Sequence, residues 1–129
     1  MSDPVFAEDL TAGMHFPSGA YTVSAKEIAE FARQWNPLPM HTDPEAAEAG
    51  FFGALIASGV HTFAIWQRLA VLNIFQGWQI IDVSDSRTVV TKMAHLRDQN
   101  GLLSFEMRAE VFMRRRPAPQ PAVDARSTK

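Results

Sequence analysis

The chain has 129 residues, of which 47% are hydrophobic and 20% are charged, and its formal net charge is −2. This composition indicates one folded domain, and the small net charge argues against a nucleic-acid backbone or an anionic membrane surface as a partner. There is no cysteine, which excludes disulfides, thiolate catalysis and cysteine-bound zinc.

The N-terminal stretch has neither the basic start nor the apolar core of a signal peptide, and no apolar run is long enough to span a bilayer. We therefore expect a cytoplasmic protein. Residues 14–23, MHFPSGAYTV, predict a short β segment that a proline and a glycine interrupt. Residues 24–35 predict an amphipathic helix, with a capping box formed by Ser24 and the glutamate three residues later. The helix is expected to end at Asn36, because the following proline disfavours helical geometry there, and a loop follows.

Two more helices are predicted after this loop. Asp43 as N-cap, with a proline at the first helical position, begins one or two turns that end at Gly50. Residues 58–77 predict about five helical turns with a stop at Gly77. Because this long helix carries apolar side chains on nearly all of its faces, we expect the rest of the protein to bury it.

The C-terminal part predicts antiparallel strands. Residues 78–84, WQIIDVS, indicate a first strand, while residues 87–97 and 102–113 flank an Asn-Gly turn signal and form a hairpin. Apolar residues alternate with mostly polar ones along the last strand. The three arginines after it read as a solvated strand end rather than a nucleic-acid patch, and residues 117–129 read as a disordered tail without periodicity.

This order of elements predicts an α+β fold with a single domain over residues 1–116. An antiparallel β-sheet that curls around one long central helix would bury that helix on most sides. This architecture is the hot-dog fold.

The stretch FARQWNPLPMHTDPEAAEAGFFGALIASGVHTFAIW resembles the signature region of MaoC-like dehydratases, the (R)-specific enoyl-CoA hydratase group. That group has an Asp-Pro-x-Pro-x-His-x-Asp-Pro-x-x-Ala motif after a helix, then Phe-Gly-Gly-x-Ile-Ala-x-Gly at the entry to the central helix. The resemblance covers roughly residues 16–72. It implies a hot-dog domain, usually a homodimer, that acts on coenzyme A thioesters as substrates and needs no separate cofactor.

The resemblance also implies roles for individual residues. The aspartate and histidine of the family hold a water that is added across the double bond next to the thioester carbonyl. His41 matches the histidine, and Asn36 stands where the family has its aspartate. Gly59, which follows Ser58, matches the backbone N–H donor that stabilises the oxyanion. We therefore expect His41 to be the principal acid and base, Asn36 to orient the water, and Ser58 and Gly59 to bind the thioester.

The chain departs from the family pattern in two ways. Asn36 can bind a water by hydrogen bonds but cannot accept its proton, because only an ionised carboxylate is a base. Family members also carry an additional strand between the central helix and the hairpin, where this chain has only residues 77–86, GWQIIDVSDS. Either the sheet lacks this additional strand, or the segment WQIID forms it. The arginine–proline tail replaces the usual final strand.

The other polar candidates have structural interpretations. Asp43 is read as a helix cap rather than a substitute base, and His61 as a packed or pocket-lining residue one turn inside the central helix. His15 and His95 lie in predicted β contexts with no partner nearby in sequence. A metal site is not expected from so few scattered ligands.

Three functions are compatible with these observations. The leading one is reversible addition of water to a trans-2-enoyl thioester. The second, favoured by Asn36, is a non-catalytic subunit that binds acyl-CoA or forms a heterodimer with an active paralogue. A hot-dog thioesterase ranks last, because residues 59–76 contain no carboxylate. We expect a homodimer, since a sheet around one helix leaves an edge strand and an apolar rim for a second copy.

Overall fold

The computed structural model describes residues 3–81 and 87–119. The helices are α1 (Ala25–Trp35), α2 (Pro39–Thr42), α3 (Pro44–Ala49) and α4 (Gly59–Asn73), and a 3₁₀ turn at Ala7–Asp9 precedes them. The strands are β1 (Ile80–Ile81), β2 (Arg87–Arg97) and β3 (Leu103–Arg114). No helix in the described part of the chain is long and apolar enough to cross a membrane.

Side-chain caps begin α1 and α3, as the sequence predicts. The Ser24 hydroxyl accepts a hydrogen bond from the Glu27 N–H at 3.1 Å, and the Asp43 carboxylate accepts one from the Glu45 N–H at 3.0 Å. The predicted capping box is only half formed, because the Glu27 carboxylate accepts a hydrogen bond from the Tyr21 hydroxyl at 2.7 Å. Both helices therefore start where their polar residues satisfy free N–H groups.

Residues 14–23 contain no strand, so the predicted β segment is wrong. Pro17 has no N–H to donate to a neighbouring strand, and Gly19 has a positive φ of 86°, which turns the chain. A side chain from α4 holds the segment in place, because the Asn73 amide donates to the Ser18 carbonyl at 2.7 Å.

The central helix α4 has 15 residues and is shorter than predicted. The N–H groups of the two residues after it both donate to the Ala70 carbonyl at 2.8 Å, which closes its last turn. The Gln76 side chain then donates to the Val71 carbonyl at 2.8 Å and satisfies a second free acceptor. Gly50 ends α3 as predicted, whereas Gly77, with a φ of 78°, lies beyond the end of α4.

The expectation that α4 is buried on most sides is wrong for the single chain. Trp66 and Ala70 are buried against the sheet, where Ala94 of β2 completes the core cluster. Elsewhere on the helix, Val60 is 56% exposed and Val71 is 44% exposed. The described sheet has only three strands, so it covers one side of the helix.

The sheet is antiparallel in the order β1-β3-β2. The predicted hairpin is confirmed, and alternate residues from Phe105 to Met113 point toward the core. Its turn is wider than a two-residue loop, because the Asp98 carboxylate accepts the N–H groups of Asn100 and Leu102. Within the described part of the predicted first strand, Ile80–Ile81 pairs with β3, and residues 82–86 lie outside the described residues.

The three arginines lie at the end of β3, where the sequence placed a solvated strand end. Arg114 is the last strand residue, the Arg115 side chain donates to the Thr88 hydroxyl at 2.6 Å, and Arg116 is 2.7 Å from the Asp9 carboxylate. Residues 117–119 are exposed. The rest of the predicted disordered tail lies outside the described residues, so the division into residues 1–116 and 117–129 stays a prediction.

Candidate functional site

His41 lies on the one-turn helix α2, where the sequence predicted a loop. Pro39 occupies the first helical position, which its fixed φ suits, and its carbonyl accepts the Asp43 N–H at 2.9 Å. The Thr42 hydroxyl donates to the Leu38 carbonyl at 3.2 Å. This turn holds His41 in a buried position, with 4% of its surface exposed.

The proton position on the His41 ring follows from its hydrogen bond. Nδ1 lies 2.7 Å from the Ile56 carbonyl oxygen, which can only accept, so Nδ1 carries the proton and donates it. The Ile56 N–H donates in return to the Met40 carbonyl at 3.4 Å and ties the same two segments together. In the neutral ring, Nε2 therefore has a free lone pair and can take a proton from a water or substrate.

Asn36 lies at the C-terminal end of α1, and its backbone joins α1 to α2. Its N–H donates to the Ala32 carbonyl and its own carbonyl accepts the Leu38 N–H, both at 2.8 Å. Its partly buried side-chain amide makes no hydrogen bond with the residues that the structure describes. The amide oxygen and nitrogen are thus available to a ligand or a water.

Ser58 and Gly59 form the start of α4. Ser58 is fully buried, and its hydroxyl accepts the His61 N–H at 3.1 Å as a helix cap. The Gly59 N–H donates to no acceptor among the described residues, and a Cβ built on this exposed glycine would have no atom within 4 Å. A free N–H at the positive end of a 15-residue helix, with open space beside it, suits a developing negative charge.

His61 is packed rather than open to a ligand, in agreement with its structural interpretation. Its ring stacks on Phe31 with 4.3 Å between the ring centroids, and only 8% of its surface is exposed. Burial lowers the pKa of His61 below its ordinary value, and the Glu27 carboxylate opposes this shift. Nδ1 of His61 is buried and has no hydrogen-bond partner among the described residues. The ring is therefore neutral near pH 7.

His95 lies on β2, as predicted, and its partner is eleven residues away in sequence, since Nε2 lies 3.0 Å from the Glu106 carboxylate on the adjacent strand. His15 lies outside any strand, so its predicted β context is wrong. Asp43 caps α3, as predicted. Across residues 3–81 and 87–119, no three histidine, aspartate or glutamate side chains gather as a metal site requires.

The sequence interpretation missed two groups, the backbone partner of His41 and the side chain of Lys92. The Lys92 ammonium lies over the rings of Phe75, at 4.0 Å, and Trp66, at 4.8 Å. Lys92 stands two residues from Val90 and two from Ala94, so the period of a strand places it on the same face as the core residue Ala94. That alternation was the available signal.

Comparison with known proteins assigns the family. The family model described as "MaoC like domain" matches residues 10–95, more than half of the chain, so the protein belongs to the MaoC-like domain family. A crystal structure of the MaoC-like dehydratase from Rhodospirillum rubrum is 32% identical with a TM-score of 0.76, and the match covers 88% of this chain and 99% of that one.

Two further relatives extend the comparison. A monoamine oxidase regulatory protein from Archaeoglobus fulgius has a TM-score of 0.78 at 21% identity, over 90% of this chain and 98% of that one, and shows the fold alone. The uncharacterized protein YdeM of Bacillus subtilis (strain 168) is 38% identical over 74 residues, which are 57% of this chain and only 52% of YdeM. The structural likenesses confirm the predicted α+β hot-dog fold.

Proposed function

We propose that the protein is an acyl dehydratase or enoyl-CoA hydratase, which adds water reversibly to a trans-2-enoyl thioester of coenzyme A. The observation that carries the proposal is the hydrogen bond from His41 Nδ1 to the Ile56 carbonyl. It fixes the tautomer and leaves Nε2 as a base in a buried position. Family membership supports the same chemistry, and the R. rubrum dehydratase is a relative of matching length.

In the proposed reaction, the water lies between the Asn36 amide and His41 Nε2. Nε2 takes a proton from the water as its oxygen forms a bond to C3 of the enoyl group. Negative charge moves to the thioester oxygen, where the Gly59 N–H donates to it. The His41 imidazolium then returns the proton to C2, so one residue acts as base and as acid.

The direct test is hydration of crotonyl-CoA by the purified protein. His41→Ala should lower the rate by ~100-fold to ~10,000-fold, because general acid–base catalysis contributes that much. His95→Ala is the matched control, since it removes an exposed histidine and should leave the rate unchanged. No hydration of trans-2-enoyl-CoA of any chain length by the natural protein would contradict the proposal.

A second function, that of a non-catalytic subunit, is favoured by Asn36, which cannot accept a proton as the family aspartate does. Such a subunit would bind acyl-CoA or pair with an active paralogue. Calorimetry decides between the two, because binding of a saturated acyl-CoA without hydration of the enoyl-CoA supports the non-catalytic subunit. A thioesterase would instead release free coenzyme A thiol, and α4 carries no carboxylate for that reaction.

We also propose that the protein forms a homodimer, with a heterodimer as the alternative for a non-catalytic subunit. The apolar face of α4 that contains Val60, Phe63 and Val71 supports this, because their exposed fractions are 56%, 41% and 44%. Val71→Glu should raise the dimer dissociation constant at least about tenfold in sedimentation. Leu102→Glu, at the hairpin turn and 66% exposed, is the control. A stable monomer of the natural protein at micromolar concentration would contradict a dimer.

A further inference from the structure

A cavity of about 540 Å³ lies between the N-terminal segment, the second half of α4 and β2. This volume is within the range of sites that hold small organic ligands, ~300 to ~1,000 Å³. None of the four candidate site residues lines the cavity. The cavity therefore does not include those residues, and the inference below does not rest on the proposed function.

Four aromatic residues, Phe16, Trp66, Phe75 and Trp78, are among those that line the cavity. The Phe75 ring lies 4.9 Å from the Trp78 ring and 6.2 Å from the Trp66 ring, and Phe16 contacts Trp78 edge-on at 5.4 Å. Rings arranged in this way offer a continuous apolar surface to a ligand. The cavity thus favours a flat or aliphatic body over a sugar or another highly polar molecule.

Lys92 is the cationic side chain in this apolar wall. Its ammonium contacts the faces of Trp66 and Phe75, and within the described part of the chain it has neither a carboxylate partner nor a hydrogen-bond acceptor. Burial lowers the pKa of Lys92 to about 8, so about nine-tenths of it is still protonated at pH 7. The other titratable groups that line the cavity are His15 and His95, and His95 is paired with Glu106.

A half-buried cation without an acid loses water contacts, which its contacts with the two rings replace only in part. A bound anion would replace them with a charge-assisted hydrogen bond. Among the described residues that line the cavity there is one lysine and no arginine. A single ammonium suits one carboxylate, whereas a phosphate would need several donors.

We propose that this cavity binds a small amphipathic carboxylate, with its apolar body against the aromatic rings and its carboxylate on the Lys92 ammonium. The ligand class is a medium-chain or aromatic monocarboxylic acid. Both components of the site are required. The rings contact the apolar body of the ligand whether or not the ligand is charged. Lys92 favours the acid over its neutral analogues.

Calorimetry with octanoate and its neutral analogue octanamide tests this directly. Lys92→Met should weaken octanoate binding ~10-fold to ~100-fold and leave octanamide binding nearly unchanged, because only the acid loses a charge-assisted hydrogen bond. Lys26→Met is the matched control, since that side chain is 82% exposed on α1 and should change neither affinity. Lys92→Gln repeats the test with a side chain that does not fill the cavity with apolar atoms. Inorganic phosphate should not compete with octanoate.

Spectroscopy gives an independent measurement, because the chain has only three lysines. After reductive ¹³C-methylation, octanoate should shift the Lys92 signal and raise its pKa, while the Lys26 signal stays in place. Three results would overturn the proposal. They are no octanoate binding up to about 10 mM, equal affinity of the natural protein for octanoate and octanamide, or unchanged octanoate binding by Lys92→Met and Lys92→Gln.

Discussion

The start of α4 and its second half differ in how the fold holds two side chains, the imidazole of His41 and the ammonium of Lys92. Near the start, His41 donates to the Ile56 carbonyl and Ser58 accepts the His61 N–H, so both side chains are held in position. Near the second half, Lys92 faces a cavity, and its ammonium lies over two aromatic rings without an acid partner among the described residues. A satisfied buried group stabilises one geometry, whereas an unsatisfied one costs stability until a ligand arrives.

This contrast separates two tasks within one small domain. The fold sets the ring orientation and the proton position of His41, which the proposed hydration needs. The ammonium of Lys92 has no acid partner among the described residues, and the proposed carboxylate ligand would supply one. Removing the His41 hydrogen bond should therefore lower stability, whereas removing the Lys92 charge should raise it.

Trp66→Ala should have the largest effect, because Trp66 is 5% exposed and belongs to the core cluster beneath the sheet. We expect the free energy of unfolding in urea to fall by about 3 to 5 kcal/mol. Trp35→Ala, at a tryptophan that is 69% exposed, should change it by less than about 0.5 kcal/mol. Similar losses in the two variants would show that the second half of α4 is not the centre of the core.

Lys92→Met should stabilise the protein at pH 7 by about 1 to 2 kcal/mol. The pKa of Lys92 is about 8 in the folded chain and 10.5 ordinarily, so between these values the unfolded chain binds more protons. Stability of the natural protein should therefore rise with pH across that window. The stabilisation by Lys92→Met is smaller than the full shift in the Lys92 pKa implies, because solvent reaches part of the side chain.

The check for Lys92 is urea denaturation at pH 7 and at pH 10 for three proteins: the natural chain, Lys92→Met and Lys26→Met. The advantage of Lys92→Met should shrink at pH 10, where the natural lysine is largely neutral in the folded state. A constant advantage at both pH values would mean that its charge is not the cause. Lys26→Met should behave like the natural protein.

Gly59→Ala tests the start of α4. The fold has room for the added Cβ and Gly59 has no positive φ, so stability should stay equal or rise by up to about 1 kcal/mol. If the thioester approaches this residue, kcat/KM for crotonyl-CoA should fall by about tenfold, or 1.4 kcal/mol. A more stable variant with unchanged kcat/KM would remove Gly59 from the site.

Deletion of residues 117–129 should have the smallest effect. The segment contains three prolines and no apolar periodicity, and its described part, residues 117–119, is exposed. We expect the free energy of unfolding to change by less than about 0.5 kcal/mol, since the deletion leaves Arg116 and its pair with Asp9 in place. A larger loss, by thermal or urea denaturation, would show that the segment packs.

Local signals were enough to predict much of the fold. The caps at Ser24 and Asp43 and the alternation along β3 are contained within a few residues, and the structure confirms each of them. The prediction of a β segment at residues 14–23 was wrong. A strand also needs a partner strand, and a short stretch of sequence does not show whether one is present. The prediction that α4 is buried on most sides was also wrong, because burial depends on how much sheet covers the helix.

For the candidate site, the sequence names residues but does not give their geometry, and their roles stay predictions. The motif spacing identified His41, Asn36 and Gly59, yet the carbonyl that sets the His41 tautomer belongs to Ile56, fifteen residues away. No sequence pattern predicts a backbone acceptor that is so far away along the chain. The role of Lys92 likewise depends on rings from α4 and the segment after it, which only the folded chain brings together.

The central claim is that Asn36 and His41 act on one water, and rates of crotonyl-CoA hydration for four proteins test it. These are the natural chain, Asn36→Asp, His41→Ala and the double variant. Asn36→Asp restores a carboxylate of nearly the same shape, so the rate should rise ~100-fold to ~10,000-fold, or about 3 to 5 kcal/mol of barrier. His41→Ala should abolish that gain, because residues that act on one water are not additive. A rate unchanged by Asn36→Asp while acyl-CoA still binds, or a gain that survives His41→Ala, would contradict the account.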